Sequence, residues 1–468
     1  MNILIVGNGF DLSHYLPTKY DHFMDVMGAI EKKNTGSKVH DLTIHSVRTW
    51  MEMLENMSKE KDFPDYSMNF DELFSEIRES YFIEKTKEYY LTEQIKLDSK
   101  DVLKLQYRLE LNCWYQYFKN HVEEIKTWID FEQKIEEVLA AIAECINLME
   151  QAHSPLDIKD FFDLDSRDNL KIKEKNFKTL NLFDLWQDEE YVIMATEYKN
   201  VTSSRPNLNL RFCHGEKLEN GFNSSGFMSF LHRELEDFIS IFNQYLELIV
   251  SNLSPSCMLN ICANEWQQFD LIYSFNYTNT YQRMHDSIDV EYLHGSHGEY
   301  QNIVLGVSDL VDENLKKLKA YGFTKYHQKL FKDTDYLFLD NYKKTIKENK
   351  IRLKNYYKNF NDDSLIKGLR IVDIIQDEIF DLDFYIWGHS LDVSDKEYIF
   401  DLFSLNDDMD RNVRVTVYHF NKTAKFDLLN NLLAILGKDK VEHWMKNKWL
   451  QFKENPKIVL ENAITSED

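Results

Sequence analysis

ILIVGNGFDLSHYLPTKY, residues 3–20, opens the chain, and the interpretation of the rest starts from it. Ile3 to Val6 are four consecutive aliphatic residues without alternation, which predicts a strand buried on both faces. Gly7 and Gly9 permit a tight turn after it, and we expect a helix to begin there. A strand, a glycine turn and a helix N-terminus present backbone N–H groups and the positive end of a helix dipole to a phosphate. The stretch therefore predicts a nucleotide site, whereas Leu12 at the third glycine position of the dinucleotide fingerprint leaves an ordinary turn as the alternative.

The composition of the 468 residues bounds the fold class and argues against some partners. A chain of this length exceeds what one simple core usually supports, so we expect one α/β core with large helical insertions, or two lobes. Only 14 glycines and 6 prolines occur, and long runs rich in Glu, Lys, Leu and Ile predict that most of the chain is helical. A net charge of −24 argues against bulk binding of nucleic acid or of an acidic membrane surface.

The cysteines and the hydropathy pattern predict a soluble, cytoplasmic protein. Five scattered cysteines argue against a disulfide framework and for a reducing compartment. Cys257 and Cys262 have no second close pair with which to complete a tetrahedral site, so we expect no metal. No basic residue precedes Lys19, which argues against a signal peptide, and no apolar run approaches the ~20 residues that span a bilayer.

Amphipathic helical patterns dominate the first half of the chain. Apolar residues recur at helical spacing over residues 20–57, 65–91, 101–128, 130–150 and 225–252. Residues 152–206 break this pattern with polar clusters, which predicts irregular structure or a hinge. Two aromatic-rich stripes are typical of helix packing, since their acidic neighbours argue against the stacking of bases. The stripes are Phe70, Leu73, Phe74, Ile77, Tyr81 and Phe82, and Leu105, Tyr107, Leu111, Trp114, Tyr115 and Phe118.

Apolar runs of strand length appear after Phe269. They cover residues 271–275, 290–293, 303–305, 384–387 and 413–418, and a second helical excursion covers residues 316–379. We therefore predict a discontinuous core, residues 1–20 and 255–468, with a helical lid at about 309–380. Residues 21–254 are predicted to form a mainly α-helical insertion lobe.

Polar residues or glycines follow several of these predicted strands. Asn276-Tyr277-Thr278 offers amide and hydroxyl groups to a ribose or a carboxamide, with a plain Asx or ST turn as the alternative. His294-Gly295 places an imidazole at a strand end, where it can act as a general base, or be a loop histidine without such a role. The run 388–392, Gly-His-Ser-Leu-Asp, follows a buried strand, and Ser394 is placed to cap the next helix, with or without a ligand.

These strand ends are expected to meet. The carboxyl ends of parallel strands share one edge of a sheet, where ligands bind, so the segments at Gly7, Asn276, His294 and Gly388 should line one crevice. His214-Gly215 is a rival dipeptide that ranks lower, because it follows polar sequence and no clear strand.

Together the motifs resemble the AbiH family of bacterial abortive-infection proteins. The resemblance rests on residues 7–11 with His14, Thr18 and Tyr20, on residues 275–280, on residues 293–295 and on residues 388–392. It implies a role in defence against bacteriophage.

The same four motifs, in the same order along the chain, are more distantly similar to the sirtuin-like fold. The implied fold class is α/β, with a Rossmann-like (sirtuin-like) parallel sheet core and large, mostly helical insertions. The similarity implies that Asn276 and His294 are catalytic, Asn276 by orienting the ribose or the attacking water and His294 as the base. It also implies NAD, or a related nucleotide, as substrate or ligand. The residues expected to bind it are Gly7, Asn8, Gly9, Phe10, Asp11, Thr18, Tyr20, Thr278, Gly295, Gly388, His389, Ser390 and Asp392.

Three departures from the sirtuin-like pattern narrow the expected reaction. Asp11 would repel a phosphate unless it caps the backbone or bonds a ribose hydroxyl, and Asn276-Tyr277-Thr278 lacks the carboxylate of the sirtuin-like Asn-x-Asp. The paired cysteines of the deacetylase zinc module are absent from the sequence. We therefore expect hydrolysis of NAD and not protein deacylation.

Three functions are open at this point. The first is hydrolysis of the nicotinamide–ribose bond of NAD, which needs no metal and depletes the infected cell of NAD. The second is a nucleotide-binding sensor or scaffold without its own catalysis. The third is a nuclease-like toxin with Asp11, Asp392 and Asp395 as metal ligands, which no paired carboxylate spacing supports. A phage-derived trigger, a partner defence protein and a homo-oligomer are each compatible with the sequence.

Overall fold

Half of the twelve strands described in the computed structural model belong to one sheet. The structure describes residues 1–34, 52, 54–56, 58–59, 65–122, 124, 128–151, 173–195, 199–262, 268–334, 338–359, 382–407 and 413–461. The strands are β1 (Asn2–Val6), β2 (Ser67–Asn69), β3 (Lys96–Asp98), β4 (Trp186–Ala195), β5 (Lys199–Leu208), β6 (Leu259–Cys262), β7 (Leu271–Ser274), β8 (Val290–Tyr292), β9 (Leu382–Trp387), β10 (Val413–His419), β11 (Leu450–Glu454) and β12 (Lys457–Leu460).

Helices make up most of the remaining regular structure. Those between β1 and β7 are α1 (Asn8–Ser13), α2 (Tyr20–Lys32), α3 (Phe70–Leu73), α4 (Ser80–Tyr89), α5 (Ser99–Leu111), α6 (Cys113–Lys119), α7 (Trp128–Gln151), α8 (Glu174–Leu182) and α9 (Ser224–Tyr245). Those after β7 are α10 (Thr280–Met284), α11 (Glu313–Lys317), α12 (Lys325–Phe331), α13 (Asp340–Asn359), α14 (Lys396–Ser404), α15 (Lys422–Leu436) and α16 (Lys438–Lys446).

β1 lies inside a six-stranded sheet of order β11-β10-β9-β1-β7-β8, in which every neighbouring pair is parallel. Val6, the last residue of β1, pairs with Ser274 of β7 and Trp387 of β9, and Ser274 pairs with Tyr292 of β8. Because the four strands run in one direction and end at the same level, the turns that follow them emerge at one edge. The register therefore brings together segments that are far apart in the sequence.

Both faces of the sheet are covered, as the unbroken aliphatic run in β1 predicts. Ile3 and Ile5 pack in a cluster with Trp444 of α16, while Leu4 and Val6 pack on the other face in a cluster with Phe10 of α1. The side chains of residues 3–6 are at most 4% exposed. The prediction of a doubly buried first strand is confirmed.

One hydrophobic cluster, rich in aromatic rings, joins buried residues of the helices between β1 and β6 to Leu259 and Ile303 of the predicted core. Phe23 of α2 and Phe118 of α6 both pack on Phe238 of α9, with ring centroids 5.7 and 5.1 Å apart. Leu315 and Phe323, from the segment predicted as a lid, belong to this same cluster. The domain boundaries and the lid itself stay predictions.

The interruption predicted over residues 152–206 is wrong where the structure describes it. Residues 174–182 form α8, and β4 (186–195) pairs antiparallel with β5 (199–208). A two-stranded ribbon accommodates polar residues. A lack of helical periodicity therefore does not distinguish such a ribbon from irregular structure. Residues 152–172 lie outside the described part of the chain.

Several local predictions also need correction. Residues 303–305 are buried but form no strand, and Val304 N–H instead donates to His294 O at 2.8 Å. The helical pattern predicted from residue 65 begins with β2. Tyr81 and Leu111 of the predicted core stripes are 67% and 50% exposed. Leu111 lies in the same helix, α5, as the buried Leu105, but six residues of helix place the two side chains on different faces. The helix predicted over 20–57 ends at Lys32. The rest of that span is described only at isolated residues beyond 34.

Candidate active site at the carboxyl edge of the sheet

A cavity of about 280 Å³ lies where the turns after β1, β7, β8 and β9 meet. The helical insertion closes it from the other side. The residues that line it are Gly7, Asn8, Asp11, Leu12, Thr18, Lys19, Tyr20, Glu132, Phe242, Leu246, Phe275, Asn276, Tyr277, Thr278, His294, Lys325, Gly388, His389, Ser390, Ser394 and Asp395. Its volume is at the lower limit of the roughly 300–1,000 Å³ typical of small-molecule sites.

Asp11 of α1 is a buried carboxylate held by neutral groups. Thr278 donates its hydroxyl to Asp11 Oδ2 at 2.5 Å, and Thr280 in turn donates to Thr278 Oγ1 at 3.1 Å. Burial raises the pKa of Asp11 to about 6, against the lowering effect of Thr278, Thr280, Asn276 and, through its charge, Arg283. Asp11 therefore exchanges its proton close to neutral pH.

Asp395 is a second buried carboxylate, and it is surrounded by nitrogen atoms. Its Oδ1 lies 3.2 Å from His294 Nε2 and 3.2 Å from Lys325 Nζ, and its Oδ2 lies 3.4 Å from His389 Nε2. Burial by itself would raise the pKa of Asp395, but Lys325 and the two histidines hold it well below its usual range. Asp395 is therefore ionised throughout the physiological range.

The hydrogen bonds fix the tautomer of His389. Leu391 donates its N–H to His389 Nδ1 at 2.9 Å, so the proton of the neutral ring is on Nε2, which faces Asp395. His294 presents its own Nε2 to the same carboxylate, and burial lowers the pKa of His294 to about 3 despite Asp395. His294 is therefore a neutral ring in the physiological range.

Lys325 joins the helical insertion to the sheet. Its ammonium contacts Glu132 of α7 at 2.8 Å and Asp395 at 3.2 Å, and the Lys325 side chain is only 6% exposed. Burial raises the pKa of Glu132 to about 7, against the lowering effect of Lys325. The ammonium thus holds two carboxylates from distant parts of the chain at the cavity wall.

The glycines at this edge are required by backbone packing. A Cβ on Gly7 would lie 2.6 Å from His389 Cα, and one on Gly9 would lie 2.7 Å from Gly388 Cα. Gly388 has a φ of +76°, and a Cβ there would lie 2.1 Å from Phe10 N. The two turns can approach each other so closely only because three residues lack side chains.

The free N–H groups expected at the first turn are engaged. Gly7 N–H donates to Trp387 O at 3.0 Å, and Gly9 N–H donates to Gly388 O at 2.9 Å. The helix that follows, α1, is only six residues long. The reasoning from exposed N–H groups is therefore wrong for these two glycines, whereas their contact with a ligand stays a prediction.

Both lysines that line the cavity are already paired. Lys19 contacts Glu79 at 2.6 Å, and Lys325 holds Glu132 and Asp395. The other ionisable groups of the lining are three carboxylates, two histidines and two tyrosines, and burial raises the pKa of both tyrosines. The lining thus favours a neutral or positively charged group over a phosphate.

Most of the residues predicted from the sequence meet at this cavity. Those that line it are Gly7, Asn8, Asp11, Thr18, Tyr20, Asn276, Thr278, His294, Gly388, His389 and Ser390. Four predicted residues are absent from the lining: Gly9, Phe10, Gly295 and Asp392. Their roles in the structure are different ones.

Each of these four residues has a structural function. Gly9 packs on Gly388, and Phe10 packs edge-on against Trp387, with ring centroids 5.0 Å apart. Gly295 has a φ of +79° and packs on the backbone of Asn302. Asp392 accepts the N–H of Ser394 at 2.9 Å, so the cap predicted at Ser394 belongs to Asp392.

The sequence gives little sign of the cavity residues that were missed. Glu132 and Lys325 lie in amphipathic helical stretches, where charged residues are ordinarily solvated. Asp395 stands out in the sequence only as a candidate metal ligand. It follows His389 by six residues, and this short separation is the one signal in the sequence that links the two. His214 of the rival dipeptide is exposed and is not among the lining residues.

The described part of the chain contains neither a metal-holding cluster nor a helix that could span a membrane. No group of three or more His, Cys, Asp or Glu side chains there is arranged to hold a metal ion, so Asp11, Asp392 and Asp395 do not form such a group. No helix there is long and apolar enough to cross a membrane.

Comparison with known families gives one match. The family model described as "Bacteriophage abortive infection AbiH" matches residues 3–419, which is most of the chain. No curated protein and no solved structure matches.

Proposed function

Because the chain belongs to the AbiH family of bacteriophage abortive-infection proteins, we propose that it defends the infected cell by hydrolysing NAD in this cavity. The family indicates the defence role. The observation that supports the reaction is the meeting of Asn276, His294 and the turns at Gly7 and Gly388 around one cavity. The reaction would take place in the cytoplasm, where it depletes the NAD of the cell.

The strand order supports a dinucleotide as the ligand. Counted along the chain, the strands of the parallel sheet lie in the order 3-2-1-4-5-6, which is the order of Rossmann-like sheets. Ligands of such sheets bind at the switch point, here between β1 and β9, where Gly7 and Gly388 meet. The core is thus proposed to be Rossmann-like and of the sirtuin-like kind.

The size and charge of the cavity suit one half of NAD. A volume of about 280 Å³ is small for a whole dinucleotide, and the paired lysines offer no ammonium to the pyrophosphate. We assign the nicotinamide riboside half to the cavity, next to Asn276 and His294. The phosphates and adenosine would extend past Ser390 toward solvent.

The buried carboxylates supply the electrostatics that the reaction needs. Breaking the bond between nicotinamide and ribose moves positive charge from the pyridinium ring to the sugar, and nicotinamide leaves without needing a proton. Asp395 is ionised, and its charge, shared with Lys325, His294 and His389, lies at the cavity wall. Preorganised negative charge of this kind stabilises a cationic transition state.

A sensor or scaffold that binds a nucleotide without cleaving it is the second candidate. One observation favours it: burial lowers the pKa of His294 to about 3, which makes this ring a weak base. In that case a phage-derived trigger or a partner defence protein would read the bound state, and a homo-oligomer would be one way to transmit it.

Nicotinamide release separates the two candidates. Purified protein is incubated with NAD, with and without lysate of phage-infected cells to supply a trigger, and nicotinamide is followed by chromatography. Hydrolysis predicts release that falls at least 100-fold in both Asn276→Ala and His294→Ala, since an oriented water and a shaped site are lost. His214→Ala is the matched control because His214 lies outside the cavity.

Binding is measured on the same samples by calorimetry. Tight binding of NAD without release under any condition supports the sensor. Neither binding nor release, with folded protein, contradicts both proposals.

A further inference from the structure

We propose that Asp11, and not His294, takes the proton from the attacking water, which is held between Asp11 and Asn276. This assignment rests on the proposed hydrolysis of NAD and deepens it. His294 then becomes a residue that contacts and positions the sugar.

Three buried polar atoms around Asp11 are arranged to hold one water molecule. Asp11 Oδ1, Asn276 Nδ2 and Asn279 Oδ1 have no hydrogen-bond partner among the described residues. The Asn276 side chain lowers the pKa of Asp11 as a hydrogen-bond donor does, although its Nδ2 has no partner in full hydrogen-bond geometry among the described residues. Two acceptors and one donor are the partners that a buried water requires.

A small chamber supplies the space. It measures about 10 Å³, close to the ~10–15 Å³ that one water needs. Asp11, Asn276 and Thr278 line both this chamber and the main cavity. The side chains proposed to hold and activate the water therefore lie at the boundary between this chamber and the proposed sugar site.

The two candidate bases, Asp11 and His294, differ in the surroundings of the atom that would accept the proton and in pKa. Asp11 has one oxygen engaged by Thr278 and the other without a partner. His294 Nε2 also makes no hydrogen bond among the described residues, but it lies 3.2 Å from the carboxylate of Asp395 and therefore faces a charge that Asp11 Oδ1 does not face. Among the described residues no cation forms an ion pair with Asp11, whereas Asp395 has Lys325 at 3.2 Å. A base works best when its pKa is near the working pH, and the pKa of Asp11 is about 6 against about 3 for His294.

The step balances as a hydrolysis. The bond between C1′ of the ribose and N1 of nicotinamide breaks, and its electron pair stays on the nitrogen. The water oxygen forms the new bond to C1′, and its proton passes to Asp11 Oδ1 and then to solvent. NAD⁺ and water give nicotinamide, ADP-ribose and a proton.

The charged and titratable groups that face Asp11 do not titrate at the same pH. They are Arg283, Tyr90 and Tyr292. Arg283 donates to the carbonyls of Val250 and Leu253 and keeps its charge. Burial raises the pKa of both tyrosines, so they stay neutral. Glu132, with a pKa of about 7, is the group to be distinguished from Asp11 by mutation.

The test is the pH profile of nicotinamide release between pH 4.5 and 9. The wild type is expected to rise through about pH 6 to a plateau. Asp11→Asn keeps an acceptor for Thr278 but has no charge, and we expect it to lose at least 100-fold in kcat and to lose the rise, while its affinity for ADP-ribose changes less than about threefold. Glu132→Gln and His294→Gln are expected to keep the rise, whatever their rates.

Rescue distinguishes a base from a structural residue. Formate or acetate should restore part of the release in Asp11→Ala, because a small carboxylate can occupy the vacated space, and should leave His294→Ala unchanged. Wild-type release with an unchanged Asp11→Asn profile overturns the assignment to Asp11 alone. A wild type that releases no nicotinamide overturns the proposed hydrolysis and, with it, this assignment.

Discussion

Asp11 and Asp395 are the same residue type, are both buried at the wall of one cavity, and behave in opposite ways. Hydroxyl groups surround Asp11, and burial raises its pKa to about 6. An ammonium and two imidazoles surround Asp395 and hold its pKa well below the usual range. Two carboxylates whose environments separate their pKa values are a common basis for dividing roles within a site.

The two aspartates divide the cavity wall into a fixed half around Asp395 and a reactive half around Asp11. The charge at Asp395 is compensated, so this half is a permanent electrostatic framework that also ties α7 to the sheet. The charge at Asp11 is not compensated by an ion pair, and ionising it costs free energy in the folded state. A protein retains such a group where its proton exchange is useful.

The largest expected effect comes from removing the ammonium of the fixed half. Lys325→Met leaves Glu132 and Asp395 buried without their cation, and we expect a loss of about 3–5 kcal/mol in the free energy of unfolding. Urea denaturation at pH 7 measures it. Lys440→Met is the matched control, since its pair with Asp407 is at the surface and its loss should stay below about 1 kcal/mol. Equal losses in the two variants would mean that the buried contacts of Lys325 with Glu132 and Asp395 contribute no more to stability than a surface ion pair.

The spacing between the two halves depends on Gly388. Gly388→Ala combines a positive φ with a Cβ that collides with the turn before Asp11, and we expect a loss of about 2–4 kcal/mol. Gly437→Ala has a similar φ of +80° but open space around the new Cβ, so its loss measures the backbone strain alone. Thermal unfolding of both variants should show a clearly lower Tm for Gly388→Ala. Matching Tm values would contradict the close packing of the turns.

Neutralising Asp11 is expected to stabilise the protein, in contrast to Lys325→Met. A pKa raised from 3.8 to about 6 means that the folded state favours the protonated form. Its stabilising contribution is complete below about pH 4 and is lost as the pH rises through 6. Asp11→Asn should therefore be more stable than the wild type by about 1–3 kcal/mol at pH 8 and nearly equal to it at pH 4. A destabilised Asp11→Asn at pH 8 would show that the charge is compensated after all.

The smallest effect concerns the hydroxyl that holds Asp11. Thr278→Val removes the 2.5 Å hydrogen bond, so the pKa of Asp11 should rise further and the free energy of unfolding should fall by about 1 kcal/mol. The rise of the pH profile for nicotinamide release reports the first change and urea denaturation the second. A profile that stays in place would count against Asp11 as the titrating group.

The sequence was sufficient to predict the framework of the reactive half. Unbroken aliphatic runs such as residues 3–6 identify doubly buried strands, and the glycine or polar residue after each run marks its carboxyl end. Parallel register then places Gly7, Asn276, His294 and Gly388 at one edge, because side-by-side strands must end side by side. Eleven of the predicted residues line the cavity for this reason.

The fixed half was largely out of reach of sequence reasoning. Glu132 and Lys325 come from helices whose pattern reports only an apolar face, and their meeting with Asp395 depends on how the insertion packs on the sheet. Likewise, two glycines in a turn indicate that another group packs closely on the turn, but not whether that group is a ligand or another part of the backbone. Here the backbone of Gly388 and His389 packs against Gly7 and Gly9. Tertiary packing decided both points.

The most direct test of the account is a ¹³C NMR titration of the two carboxyl groups, with signals assigned through Asp11→Asn and Asp395→Asn. Asp11 is expected to titrate near pH 6, and Asp395 is expected to show no titration down to pH 4. Titration of both groups together near the ordinary value for aspartate, or of Asp395 at a higher pH than Asp11, would contradict it.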